Sequence, residues 1–294
     1  MPKQKQNKTF FAGSVFRQIM IVALALALTA LSCVGALAAQ QTQTAAQSVT
    51  NVKRSAAIDL FAAEKSGFAN IKAYRAVNSD VKGWLKIPGT NIDYPVLHDN
   101  RVFLNAAVPH FYLDKNLYKQ QSRNGVIYAS PSTTFGKSAN MSRNTVLFGH
   151  NWTNVSANPR IGSANDVMFA QLTSFHHLSF AKQHPYIYYS TADQEMTWVV
   201  FAAFYTDMAF DYINPNPDSA GMVDLITGAR LRSRHIYDVE MKTNDKILTL
   251  STCTRAYGKS AQQRFVVMAR LLRPNEQLTD ISISANPKPI LPKL

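Results

Sequence analysis

Cysteine is nearly missing from this 294-residue chain: there are two, Cys33 and Cys253. Cys33 lies in an apolar stretch near the N-terminus, so the rest of the chain carries one thiol and an intradomain disulfide is excluded. A lone thiol is either a small buried hydrophobe or a reactive group. Acidic residues are also scarce, 18 against 31 lysines and arginines, giving a formal net charge of +13. No run of five or six basic residues accompanies that charge, which argues against a nucleic-acid partner, whose footprint is clustered. A basic surface facing an anionic envelope or membrane fits better. No carboxylate cluster has the pattern of a calcium site, and the pair His176-His177 has no partner pattern for zinc. Neither a metal nor a cofactor is expected. No internal repeat is present. What is there, 46% hydrophobic and 17% charged residues, suits a protein with a sizeable core.

Charge is absent altogether from Ile19 to Ala39, a run of 21 residues. As a helix it would extend roughly 30 Å, the thickness of a bilayer core. Lys3, Lys5, Lys8 and Arg17 precede it with no acidic residue among them. The positive-inside rule then places the N-terminus in the cytoplasm and the bulk of the chain outside. A cleaved signal peptide is the alternative, since Ala36-Leu-Ala38 has small-x-small spacing.

Beyond a Gln/Thr/Ala/Ser linker, Lys53 to Ser79 shows apolar residues at helical spacing, interrupted near Ser66-Gly67. Strands follow: Trp84–Ile87, Ile92–Leu97, Gly125–Tyr128, Thr145–Phe148, Ile187–Tyr189, Thr197–Tyr205, Lys246–Thr252 and Gln263–Leu272. Short helices are expected over Val167–Phe175 and over Asp218–Ser233, the latter with Asp218 as N-cap and Met222, Leu225, Ile226 and Leu231 at helical spacing. Many short strands with few helices predict a mainly β protein, a barrel with helical insertions. The end, Asn286-Pro-Lys-Pro-Ile-Leu-Pro, reads as extended and loose.

Two of these strands carry chemistry. Lys246-Ile-Leu-Thr-Leu-Ser-Thr-Cys253 ends on the thiol, and Gln263-Arg264-Phe-Val-Val-Met268 begins with a guanidinium. If they pair, Cys253 and Arg264 meet at one end of a sheet. A thiolate is a nucleophile for acyl groups, and a fixed guanidinium stabilises the oxyanion that forms. An unperturbed thiol is only a few per cent ionised at pH 7, so a base or positive neighbour is needed. His150 follows the strand Thr145–Phe148 after one glycine, in Phe-Gly-His-Asn-Trp152, which suits a site at the sheet's end. The other histidines, 98, 110, 176, 177, 184 and 235, read as surface residues. Arg255 is a rival to Arg264 but reads as an exposed loop residue.

Thr249-Leu-Ser-Thr-Cys253, the arginine eleven residues on and the upstream Gly-His-Asn together resemble a sortase. Asn78-Ser-Asp-Val-Lys-Gly-Trp84-Leu-Lys-Ile-Pro-Gly-Thr-Asn-Ile-Asp-Tyr-Pro-Val96 is similar to the start of the barrel in class B sortases, and the helical segment Asp218–Ser233 and the N-terminal apolar run fit that class. The resemblance implies an eight-stranded β-barrel with N-terminal helices and a helical insertion before the cysteine strand. It implies a membrane-anchored cysteine transpeptidase of a Gram-positive cell surface, which cleaves a C-terminal sorting signal after Thr and passes the acyl group to an amine. Surface proteins or pilins would be donors; lipid II, the peptidoglycan cross-bridge or a pilin lysine would be acceptors. Cys253 would be the nucleophile, His150 the acid and base, and Arg264 the oxyanion or substrate donor. Thr254 through its backbone N–H, and Ser251 and Thr252 beside it, are further candidates for oxyanion or substrate contact. The chain then divides into a cytoplasmic 1–18, a signal anchor 19–39, a linker 40–51, an extracellular domain 52–279 (helices in 52–79, barrel in 80–273) and a tail 280–294. Thr254 departs from the acidic or amide residue of some class B members, and the Asn- and Ser-rich loop Val155–Asn165 is longer than expected and bears on access to the site. Two other readings stand beside this one: an L,D-transpeptidase-like cell-wall enzyme, and a membrane-anchored binding or scaffold domain without activity.

Overall fold

A computed structural model describes Gln40, residues 67–99 and residues 110–293. The chain divides at residue 60 into two units, and every element below belongs to the second. The apolar run Ile19–Ala39, most of the linker and the helical segment before Gly67 fall outside the described residues. Among the described residues no helix is long and apolar enough to cross a membrane.

Helix α1 (Gly67–Val77) leads into β1 (Val81–Lys86) and β2 (Asp93–Leu97). Then come β3 (Ile127–Ala129), β4 (Asn144–Phe148), α2 (Leu178–Gln183), β5 (Tyr186–Thr191) and β6 (Thr197–Thr206). The chain continues through α3 (Ser219–Arg232), β7 (His235–Tyr237), β8 (Ile247–Cys253), β9 (Arg264–Leu271) and β10 (Ile283–Ala285). Eight strands close into a mixed barrel in the order β1-β2-β3-β4-β8-β9-β6-β5, with β5 returning to β1. The pairs β2–β3 and β4–β8 are parallel and the rest antiparallel. Closure leaves the barrel without open edges. Its interior is filled from every strand, by Leu85, Val96, Ile127, Leu147, Leu250 and Phe265 among others, all fully buried.

The two parallel pairs require long crossovers, and these crossovers bring the remaining groups to one end of the barrel. Residues 98–126 join β2 to β3, and among the described residues of this connection a 3-10 turn forms over Phe111–Leu113. Tyr112 pins that turn: its hydroxyl donates to Asp80 (2.6 Å) and accepts from Asn78 Nδ2 (3.0 Å). Burial pushes the Asp80 carboxyl up, but the Tyr112 and Lys119 hydrogen bonds outweigh it and hold it below its usual value. Helix α3 is capped as expected, with Asp218 accepting from Gly221 N–H at 2.7 Å. It buries Met222, Leu225, Ile226 and Ala229, whereas Leu231 is exposed.

Several expectations need correction. The short helix expected over Val167–Phe175 is a 3-10 helix and covers Ala170–His176, with α2 following. The strands β7 and β10 were invisible to pattern reading, and they pair with each other outside the barrel. The C-terminal segment is not loose: Ile290 N–H donates to Leu231 O (2.9 Å) and Lys293 N–H to Asp207 Oδ2 (2.8 Å). Nor are the other six histidines surface residues. His98 and His235 are buried, and the remaining four are partly so.

Candidate active site

Register brings the thiol and the guanidinium together. In the antiparallel β8–β9 pair Cys253 lies directly opposite Arg264. In the parallel β4–β8 pair Phe148 lies opposite Ser251, and the ladder runs on through Gly149 N–H to Ser251 O (3.3 Å). His150 therefore leaves β4 beside Cys253. Gly149 is required there, because a Cβ would overlap the side chains of Ile127 and Phe169. The His150 carbonyl accepts from Phe169 N–H (2.9 Å), which fixes the backbone of the turn.

Cys253, His150 and Arg264 line one cavity of about 180 Å³. The crossover between β6 and α3 adds Met208, Tyr212 and Ile213 to its wall, and the β2–β3 crossover adds His110 and Leu113. Met208 and Ile213 are exposed, so this wall offers apolar surface to an occupant. The half-buried imidazole of His150 donates from Nε2 to the carbonyl oxygen of Leu113 at 2.8 Å. A carbonyl only accepts, so in the neutral ring Nε2 carries the hydrogen and Nδ1 keeps its lone pair. Burial holds this histidine below its ordinary pKa; the Leu113 hydrogen bond and the Asp114 charge oppose that shift without cancelling it. Arg264 uses Nη1 to bond Ala261 O (2.8 Å) and Gln263 O (2.9 Å). Among the described residues no carboxylate pairs with it, which leaves its charge uncompensated at the cavity.

The smaller candidates separate. Ser251 lines the cavity, and its hydroxyl shares a 2.9 Å hydrogen bond with the buried Tyr212 hydroxyl. Thr252 also lines the cavity, with its hydroxyl donating to Gly149 O at 2.7 Å. Thr254 stands away from the cavity. Its N–H is turned to Gln263 O (3.4 Å) and its hydroxyl donates to Val155 O (3.1 Å), so the expected oxyanion donor is engaged elsewhere. Arg255 is exposed and bonded to Thr254 O and Ser260 O. The loop Val155–Asn165 is strapped to the β8–β9 hairpin through Arg255 N–H to Val155 O (2.8 Å) and contributes nothing to the cavity wall.

Three groups escaped sequence reading. Asn151, within the quoted Gly-His-Asn, is buried and donates to Cys253 O (3.3 Å), tying the His turn to the Cys strand. The Leu113 carbonyl has no side-chain signature. His110 lies 5.3 Å, ring to ring, from both Tyr128 and Phe148, and burial together with the Arg264 charge favours its neutral form. Among the described residues no cluster of three or more His, Cys, Asp or Glu is arranged to hold a metal ion.

A thiol, an imidazole and a guanidinium that pairs with no carboxylate among the described residues stand around a cavity with an apolar wall, a set equipped for acyl transfer. The family model described as "Sortase domain" matches residues 85–272. The chain belongs to the sortase family. It is 27% identical over 198 residues to Sortase B of Staphylococcus aureus, covering 67% of this chain and 72% of that protein. It is 28% identical over 207 residues to Sortase B of Listeria monocytogenes, covering 69% and 74%. The crystal structure of S. aureus Sortase B complexed with MTSET superposes with a TM-score of 0.56 at 26% identity, over 68% of this chain and 76% of that one. These similarities are to class B, and the protein is a class B sortase-like cysteine transpeptidase with the mixed eight-stranded barrel expected of that class.

Proposed function

We propose that this sortase acts at the outer face of a plasma membrane, held by its N-terminal apolar segment, and that Cys253, His150 and Arg264 carry its chemistry. The thiolate of Cys253 attacks the carbonyl carbon of a Thr in a C-terminal sorting signal. The negative charge that develops on the carbonyl oxygen is met by Arg264, whose guanidinium has no carboxylate partner among the described residues. The C–N bond breaks as the imidazolium of His150 gives its proton to the departing amine, leaving a thioacyl-enzyme. An acceptor amine, on a peptidoglycan cross-bridge or a pilin lysine, attacks that thioester, loses a proton to His150 and releases the thiolate. Because Nε2 is committed to Leu113 O, Nδ1 is the nitrogen that exchanges the proton.

The convergence of the three side chains on one cavity is the observation that supports this reading. The experiment is incubation of the protein with a library of sorting-signal peptides (Leu-Pro-x-Thr-Gly and Asn-Pro-Gln-Thr-Asn types) and hydroxylamine. Cleavage after Thr with formation of the Thr hydroxamate is expected, and none with Cys253→Ala. A protein that binds the peptides and cleaves none is a scaffold, and the reading fails.

A further inference from the structure

The hydrogen bond to Leu113 O fixes one nitrogen of His150 but leaves the ring free to swing about that bond. A second restraint lies on its face. The indole of Trp152 is stacked on the imidazole, with ring centroids 4.7 Å apart and planes inclined by 26°. The indole is itself braced by the turn before β3. Its N–H donates to Arg123 O at 3.2 Å, and the Arg123 guanidinium lies over the ring, 4.9 Å from its centroid.

Trp152 is 46% exposed and belongs to neither apolar cluster of the fold. A large aromatic residue that the core does not use, held at both its N–H and its face and laid flat on the imidazole, is accounted for by what it holds. We infer that Trp152 is a positioning residue for His150, with Arg123 as its brace. The inference rests on the acid–base role given to His150 above. An indole face stacks on the neutral imidazole, the form that burial favours here. The charged and titratable groups around the imidazole are Asp114 on the β2–β3 crossover, Cys253 and Arg264 on β8 and β9, His110, Tyr128 and Tyr212 across the cavity, and Arg123 behind the indole.

The test compares Trp152→Ala and Trp152→Phe in the full-length chain in mild detergent, with two readouts. The first is steady-state cleavage of an Asn-Pro-Gln-Thr-Asn peptide or the best peptide from the library. Trp152→Ala is expected to lower kcat by roughly three- to tenfold with KM unchanged, while Trp152→Phe, which keeps an aromatic face, retains wild-type kcat. The second is the NMR titration of the His150 ring, which needs no substrate. Burial is what depresses this histidine, so uncovering its face in Trp152→Ala moves its midpoint up toward 6.5, whereas Trp152→Phe leaves it in place. Unchanged kcat and midpoint in Trp152→Ala overturn the inference. So does a rise in KM alone, which makes Trp152 a substrate contact, or equal damage from both substitutions alongside a fall in Tm, which makes it structural. If the wild-type chain cleaves no peptide, the functional reading fails on its own and the ring titration still decides the role of Trp152.

Discussion

At the scale of single residues the site depends on chemistry that close substitutes cannot reproduce. Cys253→Ala removes one sulfur from a half-buried position, so activity is expected to vanish while thermal melting shows a stability change under about 1 kcal/mol. Arg264→Lys keeps the charge but loses the planar fork. With Nη1 of the native residue already committed to its own hairpin, an ammonium cannot serve hairpin and oxyanion together, and kcat should fall by about a hundredfold in the peptide assay. The protonation of His150 sets the pH dependence. Its folded pKa is depressed, so the imidazolium that protonates the leaving amine is a minority at neutral pH and grows as pH falls. If the active form pairs thiolate with imidazolium, kcat/KM should decline on the acid side with a limb below pH 6.5, the ordinary histidine value. An acid limb at or above 6.5 would contradict the burial seen here.

At the scale of elements, the parallel pairs make the crossovers part of the site. Gly125 has a φ of +56°, and a Cβ on it would overlap the Leu113 carbonyl oxygen that receives His150. Gly125→Ala should therefore cost about 1–2 kcal/mol of stability and also reduce kcat. Gly136, with a φ of +126° and no atom closer than 3.7 Å to an added Cβ, is the control. Gly136→Ala should lower Tm without changing kcat, and equal kcat losses in both variants would remove the Leu113 carbonyl from the scheme. The same elements show what a sequence discloses. Cys253, His150 and Arg264 were legible because each adjoins an apolar strand of five to eight residues whose alternation points to a barrel end. His110, Leu113 and Gly125 were not, because they lie in a crossover with no period, held by Tyr112, Asp80 and Asn78 at contacts more than thirty residues apart. The strands β7 and β10 have three residues each, too few for alternation to register. Trp152 was quoted with its motif but carried no signal, since an exposed aromatic acquires meaning only from the ring it covers.

At the scale of the whole molecule, partly buried ion pairs secure the barrel end opposite the start of β9. Arg270 is 3% exposed and is gripped by Glu276 through Nη1 to Oε2 (2.7 Å) and Nη2 to Oε1 (2.5 Å), while Arg273 pairs with Asp245 at 2.9 Å. Glu276→Gln leaves the buried guanidinium without its counter-charge and should cost about 2–3 kcal/mol in denaturant unfolding. The Arg270 hydrogen bond, against burial, holds the Glu276 carboxyl below its ordinary value. Its contribution is complete above pH 4.5, the value of the free side chain, and is lost as pH falls through the lower folded value. Glu276→Gln should accordingly start from a lower plateau and lose less stability than the wild type below pH 4.5, so that the two curves converge in acid; an identical plateau would show the pair to be neutral. The C-terminal segment reaches further than its sequence suggests, because Lys293 N–H is bonded to Asp207, one residue before the Met208 that walls the cavity. An affinity tag or surface tether fused after residue 294 would pull on that wall and distort peptide turnover, so handles for purification or immobilisation belong at the other terminus.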